Sequence, residues 1–167
     1  MIVMRGQILI NTKNKIKMET RLQLLTKGKE AVNVLFAMGK YLNNCRIEKT
    51  IQELVKIRVS QLNSCAYCLD MHWKDAHALG ETEQRLYGLS AWEEAPYYNE
   101  RERAALQFAE AITICKVPAT AYNEAAKYFS EEELVDLAML VTTTNTWNRL
   151  NHAFPQKVGS YKPGQWS

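Results

Sequence analysis

The chain has 167 residues, of which 47% are apolar and 23% are charged, and its formal net charge is +3. This size and apolar content predict a single domain with one sizeable core. The 21 basic residues are balanced by 18 acidic ones, which argues against nucleic-acid binding, and no apolar run approaches the roughly 18 residues of a membrane span. We therefore expect a cytoplasmic protein.

The first half of the chain predicts two helices after an irregular start. Residues 1–20 show no helical periodicity, and we expect a loosely attached N-terminal extension there. Apolar residues then recur at the spacing of one helix face over residues 29–42. A second helix is predicted over residues 48–62, and it carries Glu53 in its interior.

The third predicted helix opens with the segment SCAYCLDMH at residues 64–72 and continues without proline or glycine to Leu79. Asn63 or Ser64 is expected to cap its N-terminus, and Gly80 to take the left-handed conformation after its C-terminus. Because the connection at 63–64 is so short, the second and third helices are expected to form an antiparallel hairpin.

The second half of the chain predicts further helices and no strand. Capping-box patterns at 99–102 and 130–133 mark two helix starts, and a short helix is predicted over 81–89, with another ending at 129. The aromatic residues of 91–98 are expected in the core or at a subunit interface. The polar run at 142–149 is expected to serve helix packing or an interface, and residues 155–167 to form an extended tail.

The segment at 64–72 places two thiols and an imidazole on one helix face. Residues three apart on a helix have Cα atoms roughly 5 Å apart, so Cys65 and Cys68 can form and break a disulfide with little backbone movement. His72 lies one turn beyond Cys68, within reach of its sulfur. The positive end of the helix dipole favours a thiolate in the first turn. This pattern predicts a redox-active dithiol; the alternative is two small buried apolar residues and a core histidine.

A zinc site is a second alternative, because Cys65, Cys68, His72 and His77 superficially resemble a set of four ligands. His77 lies far off the common helix face, and Cys65 and His72 are separated by roughly 10 Å along a straight helix. Zinc bonds of about 2.0 to 2.3 Å cannot span that distance. We therefore predict neither a metal nor a cofactor.

Glu53 is expected to lie opposite His72 across the predicted hairpin. Glu53 precedes the connection by ten residues and His72 follows it by nine, so both lie about 14 to 15 Å from the turn. A carboxylate beside an imidazole selects its tautomer and orients it, which predicts a relay from Glu53 through His72 to Cys68. The alternative is a surface glutamate that pairs with Lys49 or Lys56.

The arrangement of Glu53, Cys65-x-x-Cys68 and His72 resembles the core motif of the alkyl hydroperoxidase D-like (AhpD-like) proteins of the carboxymuconolactone decarboxylase superfamily. The likeness extends more loosely over residues 21–154. It implies an all-helical single-domain bundle built on a central antiparallel hairpin that carries the C-x-x-C site. It also implies assembly as trimers or hexamers, and peroxidase activity towards organic hydroperoxides.

The resemblance further implies that Cys68 attacks the peroxide, that Cys65 resolves the product as a disulfide, and that Glu53 and His72 relay protons. A lipoylated or thioredoxin-like protein would then reduce the disulfide. From the residues alone, the outer position favours Cys65 as the nucleophile and contact with His72 favours Cys68; we assign the attack to Cys68. Tyr67 stands where the best-known members carry a histidine, and we predict a supporting role for it.

Two other functions remain open from the sequence. One is a decarboxylase-like or lactone-handling enzyme of the same superfamily, against which the dithiol argues, because acid–base chemistry on a lactone does not require thiols. The other is a non-catalytic, redox-sensing oligomer. The predicted organisation is an extension at 1–20, a helical domain at 21–154 and a tail at 155–167.

Overall fold

The computed structural model describes residues 21–166, so the extension predicted at residues 1–20 lies outside the described residues. Over this range the regular elements are all helices and there is no strand, which confirms the predicted all-α class. A short 3-10 turn at Leu89–Ala91 separates the fifth and sixth helices. The helices are α1 (Leu24–Lys27), α2 (Lys29–Leu42), α3 (Lys49–Leu62), α4 (Ala66–Ala78), α5 (Glu83–Gly88), α6 (Glu100–Thr113), α7 (Ala119–Ala125) and α8 (Glu131–Ala153).

Helix α3 lies at the centre of the fold, because it packs against α4, α6 and α8 together. Val55 and Val59 join the larger apolar cluster with residues of α6 and α8. Leu54 and Ile57 join a second cluster that includes Ala76 of α4. A helix buried on more than one side gives its polar residues little access to water, so a charged residue there requires partners.

The predicted cap of α4 is wrong by one or two residues, and the connection from α3 explains why. Ser64 has a φ of 54°, in the left-handed region. Its N–H donates to the carbonyl of Gln61 and the Cys65 N–H donates to the carbonyl of Ser60, each at 3.0 Å. This pair of bonds is the Schellman closure of α3. Asn63 and Ser64 therefore end α3, and extended Cys65 is the N-cap of α4.

Several other predicted boundaries are confirmed. Gly80 has a φ of 92° directly after α4, as expected for a left-handed closing residue. Both predicted capping boxes are present, at Asn99 with Glu102 and at Ser130 with Glu133. Helix α7 ends four residues before the predicted end at residue 129, and α8 continues to residue 153.

The aromatic segment 91–98 contributes to the core, since Trp92 and Tyr98 are 6% and 4% exposed and belong to the cluster around Leu54. The C-terminal segment at residues 155–166 has neither helix nor strand and returns to α4. There the hydroxyl of buried Tyr161 donates to the Asp75 carboxylate at 2.8 Å. In the described residues we find no helix of the length and apolarity that crossing a membrane requires.

Candidate active site

Cys65 and Cys68 form a disulfide with a Cα–Cα distance of 5.4 Å, which confirms the predicted one-turn pairing. Both cysteines are almost completely buried, at 2% and 1% exposed. Exposure therefore does not favour Cys65 as the nucleophile, contrary to the argument from its outer position. The other two cysteines, Cys45 and Cys115, are free thiols.

The predicted contact across the hairpin is present. His72 Nδ1 lies 2.9 Å from Glu53 Oε2, and Lys56 donates to the other carboxylate oxygen at 2.7 Å. Glu53 is only 6% exposed, so the alternative of a surface glutamate is wrong, although its proposed pairing with Lys56 occurs. Because residues before and after the turn meet side by side, the contact also confirms that α3 and α4 run antiparallel.

The charge state of Glu53 fixes the direction of its hydrogen bond with His72. Burial acts to raise the pKa of the Glu53 carboxyl, but the opposing effects of His72 and Lys56 outweigh it and lower the pKa to about 2. At neutral pH this carboxylate has no proton to donate. His72 Nδ1 therefore donates to Glu53, and Nε2 is the ring nitrogen left to exchange a proton with another group.

The expected contact between His72 and Cys68 is absent from the hydrogen bonds of residues 21–166. The Cys68 sulfur is instead bonded to Cys65 and carries no proton that an imidazole could accept. A proton transfer between Cys68 and His72 would belong to the dithiol form. The structure shows the Cys65–Cys68 bond and the Glu53–His72 contact. The catalytic roles of these four residues remain predictions.

A polar contact to the disulfide comes from a residue that the sequence reasoning missed. Asn151 of α8 donates from Nδ2 to Cys68 Sγ at 3.5 Å and to the Trp147 carbonyl at 3.0 Å. A signal was present in the sequence, since Asn145, Asn148 and Asn151 follow one another at intervals of three residues. Such an interval places asparagines on one side of a helix.

The other asparagines of α8 hold the turn that leads into Cys65. Asn63 Nδ2 donates to Asn145 Oδ1 at 2.8 Å and to Asn148 Oδ1 at 2.9 Å. Asn148, which is fully buried, donates in turn to Ser60 Oγ at 3.1 Å. The polar run at 142–149 is therefore used for helix packing, one of the two roles expected for it, and it fixes the backbone at the start of α4.

Tyr67 lies between the two cysteines in sequence and contacts an aromatic group formed by Phe36, Trp147 and Trp166. Its hydroxyl accepts a hydrogen bond from Trp166 Nε1 at 3.3 Å. The Phe36 ring lies 5.5 Å from the Trp147 ring and 5.9 Å from the Trp166 ring, between centroids. Tyr67 thus connects the first turn of α4 to the C-terminal segment, and its supporting role in catalysis stays a prediction.

The zinc set considered from the sequence is not assembled. The thiols are joined to each other, and exposed His77 stacks on Trp73 with ring centroids 5.1 Å apart. Ligand atoms of Glu53, His72 and Asp75 do lie within 4.8 Å of one another. Both carboxylates already have protein partners, however. Glu53 accepts hydrogen bonds from Lys56 and His72, and Asp75 accepts them from the Tyr161 hydroxyl and the Gly164 N–H.

Comparisons with known proteins identify the family of this chain. The sequence profile of the carboxymuconolactone decarboxylase family matches residues 29–111, which include α3 and α4. YdfG, an uncharacterized protein of Bacillus subtilis, is 40% identical over 146 residues, covering 86% of this chain and 99% of that protein.

Two solved structures extend the comparison. A protein of unknown function from Agrobacterium tumefaciens, provisionally named as an AhpD antioxidant defence protein, is 33% identical with a TM-score of 0.82, covering 86% of this chain and all of that one. The debrominase Bmp8 shares the fold, with a TM-score of 0.74 at 22% identity over 81% of this chain and 75% of its own. The family profile, the match to YdfG and the match to the Agrobacterium structure show that the chain belongs to the AhpD-like proteins of the carboxymuconolactone decarboxylase superfamily.

Proposed function

We propose that this protein is a thiol-dependent peroxidase that reduces organic hydroperoxides through Cys65 and Cys68. The observation that carries the proposal is the placement of a one-turn disulfide on the helix that also bears His72, whose Nδ1 is held 2.9 Å from buried Glu53. A redox-active pair beside an oriented base is the arrangement that an activated thiol nucleophile requires.

In the proposed reaction, the Cys68 thiolate attacks the terminal oxygen of the hydroperoxide. A sulfur–oxygen bond forms, the oxygen–oxygen bond breaks, and the leaving alkoxide takes a proton to become an alcohol. Cys68 is then a sulfenic acid, which the Cys65 thiol attacks to form the disulfide and release water. The dithiol loses two electrons, and the hydroperoxide is reduced to one alcohol and one water.

His72 is proposed to take the Cys68 proton at Nε2 and to return it to the leaving alkoxide. Glu53 would keep Nδ1 protonated throughout, because its low pKa leaves it ionised at neutral pH. Glu53 is therefore a positioning residue in this scheme, while His72 acts on the reacting atoms. Lys56 offsets the carboxylate charge from its other side at 2.7 Å.

A second dithiol must return the pair to its reduced form, and it is itself oxidised to a disulfide in the exchange. We propose a lipoylated or thioredoxin-like protein as this partner, because thiol–disulfide exchange transfers two electrons without any further cofactor. A cytoplasmic location fits this requirement, since cellular reductants there keep thiols reduced.

We also propose that the protein is a homo-trimer or homo-hexamer, as the family resemblance implies. Large apolar or aromatic side chains stand out from α2, where Val34 is 69% exposed and Tyr41 52% exposed. Such residues often mark subunit contacts. Light scattering should give three or six times the 19.2 kDa mass of one chain, and a mass of one chain across a concentration series would contradict the assembly.

A different oxidant is the main competing proposal, because a debrominase shares this fold. Reductive removal of bromine from an organic substrate would use the same dithiol as the electron source. A non-catalytic redox sensor would also form the disulfide but would not turn over. A lactone-handling enzyme is disfavoured, since its chemistry gives no use to the Cys65–Cys68 pair.

Turnover separates a peroxidase from a non-catalytic sensor. The reduced protein is supplied with cumene hydroperoxide and excess dihydrolipoamide, and loss of peroxide is followed over many equivalents. Peroxidase function predicts sustained turnover that is abolished by Cys68→Ser and unchanged by Cys45→Ser, which alters a cysteine outside the pair. A single turnover that then stops, despite excess reductant, would favour a sensor.

A further inference from the structure

We infer that Asn151 stabilises the Cys68 thiolate by donating a hydrogen bond to its sulfur, an inference that rests on the proposed thiol chemistry. Asn151 lies on α8, in a different part of the chain from the Cys65–Cys68 motif, and its Nδ2 atom is 3.5 Å from Cys68 Sγ. The inference divides two tasks: His72 moves the proton, and Asn151 stabilises the charge that remains on sulfur.

The orientation of the Asn151 amide follows from its second contact. One hydrogen of Nδ2 points to the Trp147 carbonyl, which lies 3.0 Å away and can only accept. If the amide were turned over, Oδ1 would face that carbonyl and two acceptors would repel each other. The anchored orientation therefore presents the other hydrogen of the same Nδ2 to the Cys68 sulfur.

The environment of Cys68 makes such a donor important. Cys68 is 1% exposed, so a thiolate there receives little stabilisation from water, and burial without a donor would favour the neutral thiol. The first-turn amides of α4 supply part of the compensation. Asn151 supplies a side-chain donor, and a hydrogen bond to a charged partner is stronger than one between neutral groups.

Neighbouring residues of α8 keep this donor in place. Asn148, one turn before Asn151, is buried and bonded to both Asn63 and Ser60 of the hairpin. His152 directly follows Asn151, and its Nε2 atom lies 2.7 Å from the Asn63 carbonyl oxygen. Because α8 is fixed to the same turn that carries Cys65, the distance from Asn151 to the sulfur is set by the fold.

Stabilising the thiolate also changes the redox balance. A lower free energy of the reduced, thiolate form makes the disulfide easier to reduce and raises its reduction potential. Asn151 should therefore help Cys68 react with peroxide and help the partner dithiol regenerate it. Removal of the donor should move both properties in the unfavourable direction.

The first test measures the rate of Cys68 alkylation by iodoacetamide against pH in a Cys65→Ser background. Asn151→Leu keeps the side-chain size without the donor, and it should shift the profile upward by about one pH unit, or slow alkylation about tenfold near neutral pH. Asn151→Asp adds a negative charge and should shift it further. Thr146→Ala, an exposed change on the same helix, should leave the profile unchanged.

The second test equilibrates the Cys65–Cys68 pair with dithiothreitol redox buffers. Asn151→Leu should favour the disulfide about tenfold relative to wild type, which for a two-electron couple is a potential lower by about 30 mV. Asn151→Ser, a milder change, should lower the potential in the same direction, and it replaces the leucine variant if that variant fails to fold. Thermal unfolding of each variant separates loss of the fold from loss of the donor.

Profiles and potentials that coincide with wild type in folded variants would overturn the inference and leave Asn151 as a helix-packing residue. These outcomes are distinct from failure of the proposed function. If wild-type protein does not turn over hydroperoxide but the variants shift alkylation as described, Asn151 still stabilises the thiolate of a dithiol used for another reaction.

Discussion

Two glutamates in this fold are almost equally buried, but their hydrogen-bond partners differ in whether they can transfer a proton. The Glu53 side chain is 8% exposed and the Glu102 side chain 9% exposed. Each uses both carboxylate oxygens. Glu53 accepts from Lys56 and His72, whereas Glu102 accepts from Arg85 at 2.6 Å and from the Asn99 backbone N–H at 2.9 Å.

The difference lies in what the partners can do. An arginine stays protonated at all accessible pH values, and a backbone amide does not titrate, so Glu102 can only hold structure at the start of α6. An imidazole can give and take a proton near neutral pH, and His72 shares its helix with the Cys68 sulfur of the disulfide. Burial and ion pairing thus do not identify a site; the chemistry of the partner does.

The largest expected effect is on rate. Glu53→Gln should slow single-turnover oxidation of the reduced protein by cumene hydroperoxide about 10²-fold or more, because His72 loses the carboxylate that fixes its tautomer. The matched change Glu102→Gln should leave the rate near that of wild type. Stopped-flow measurement of both variants tests the comparison, and equal slowing in the two would remove the distinction.

Coupling between Glu53 and His72 sharpens the same point. If they act as one unit, His72→Ala combined with Glu53→Gln should be about as slow as the slower single variant. Independent contributions would instead multiply the two losses. The four rates of this cycle, measured with the same hydroperoxide, decide between a relay and two unrelated structural residues.

Glu102 is expected to matter for the stability of the fold and not for the rate of the reaction. Glu102→Ala removes one of the two carboxylates paired with Arg85, which keeps Glu81, and half of the capping box of α6. The loss should lower the free energy of unfolding by roughly 1–3 kcal/mol. Urea unfolding of the folded variant measures this loss. A variant as stable as wild type would show that the Glu102 contacts contribute little.

The smallest expected effect is a pH dependence of stability attributable to Glu53. Its pKa is about 2 in the folded chain against an ordinary 4.5. Between about pH 2 and pH 4.5 the unfolded chain therefore binds more protons than the folded chain. The stability that Glu53 contributes above about pH 4.5 should be lost as the pH falls toward about 2. Glu53→Gln should flatten this part of the curve, while Glu93→Gln, an exposed control, should follow wild type. Parallel curves for all three would contradict the assignment.

Much of the site follows from local rules in the sequence. Counting residues from the turn is sufficient to place Glu53 beside His72, because both helices rise by a constant 1.5 Å per residue. The one-turn pairing of the cysteines and the two capping boxes have the same local origin. The all-helical class follows from periodicity and from the absence of strand patterns.

The remaining features depend on contacts between distant parts of the chain, which periodicity does not encode. Asn151 is 83 residues from Cys68, and Tyr161 is 86 residues from Asp75. The cap of α4 was misplaced for a related reason. Ser64 is a good N-cap residue by type, but the backbone closure of α3 takes it into the left-handed region first.

The most direct test of the proposed peroxidase is peptide mass mapping of the fully reduced protein before and after one equivalent of cumene hydroperoxide. We predict the loss of two thiols per chain, one new bridge between Cys65 and Cys68, and one equivalent of alcohol, with Cys45 and Cys115 still free. No loss of thiols, or a bridge that involves Cys45 or Cys115, would contradict the mechanism.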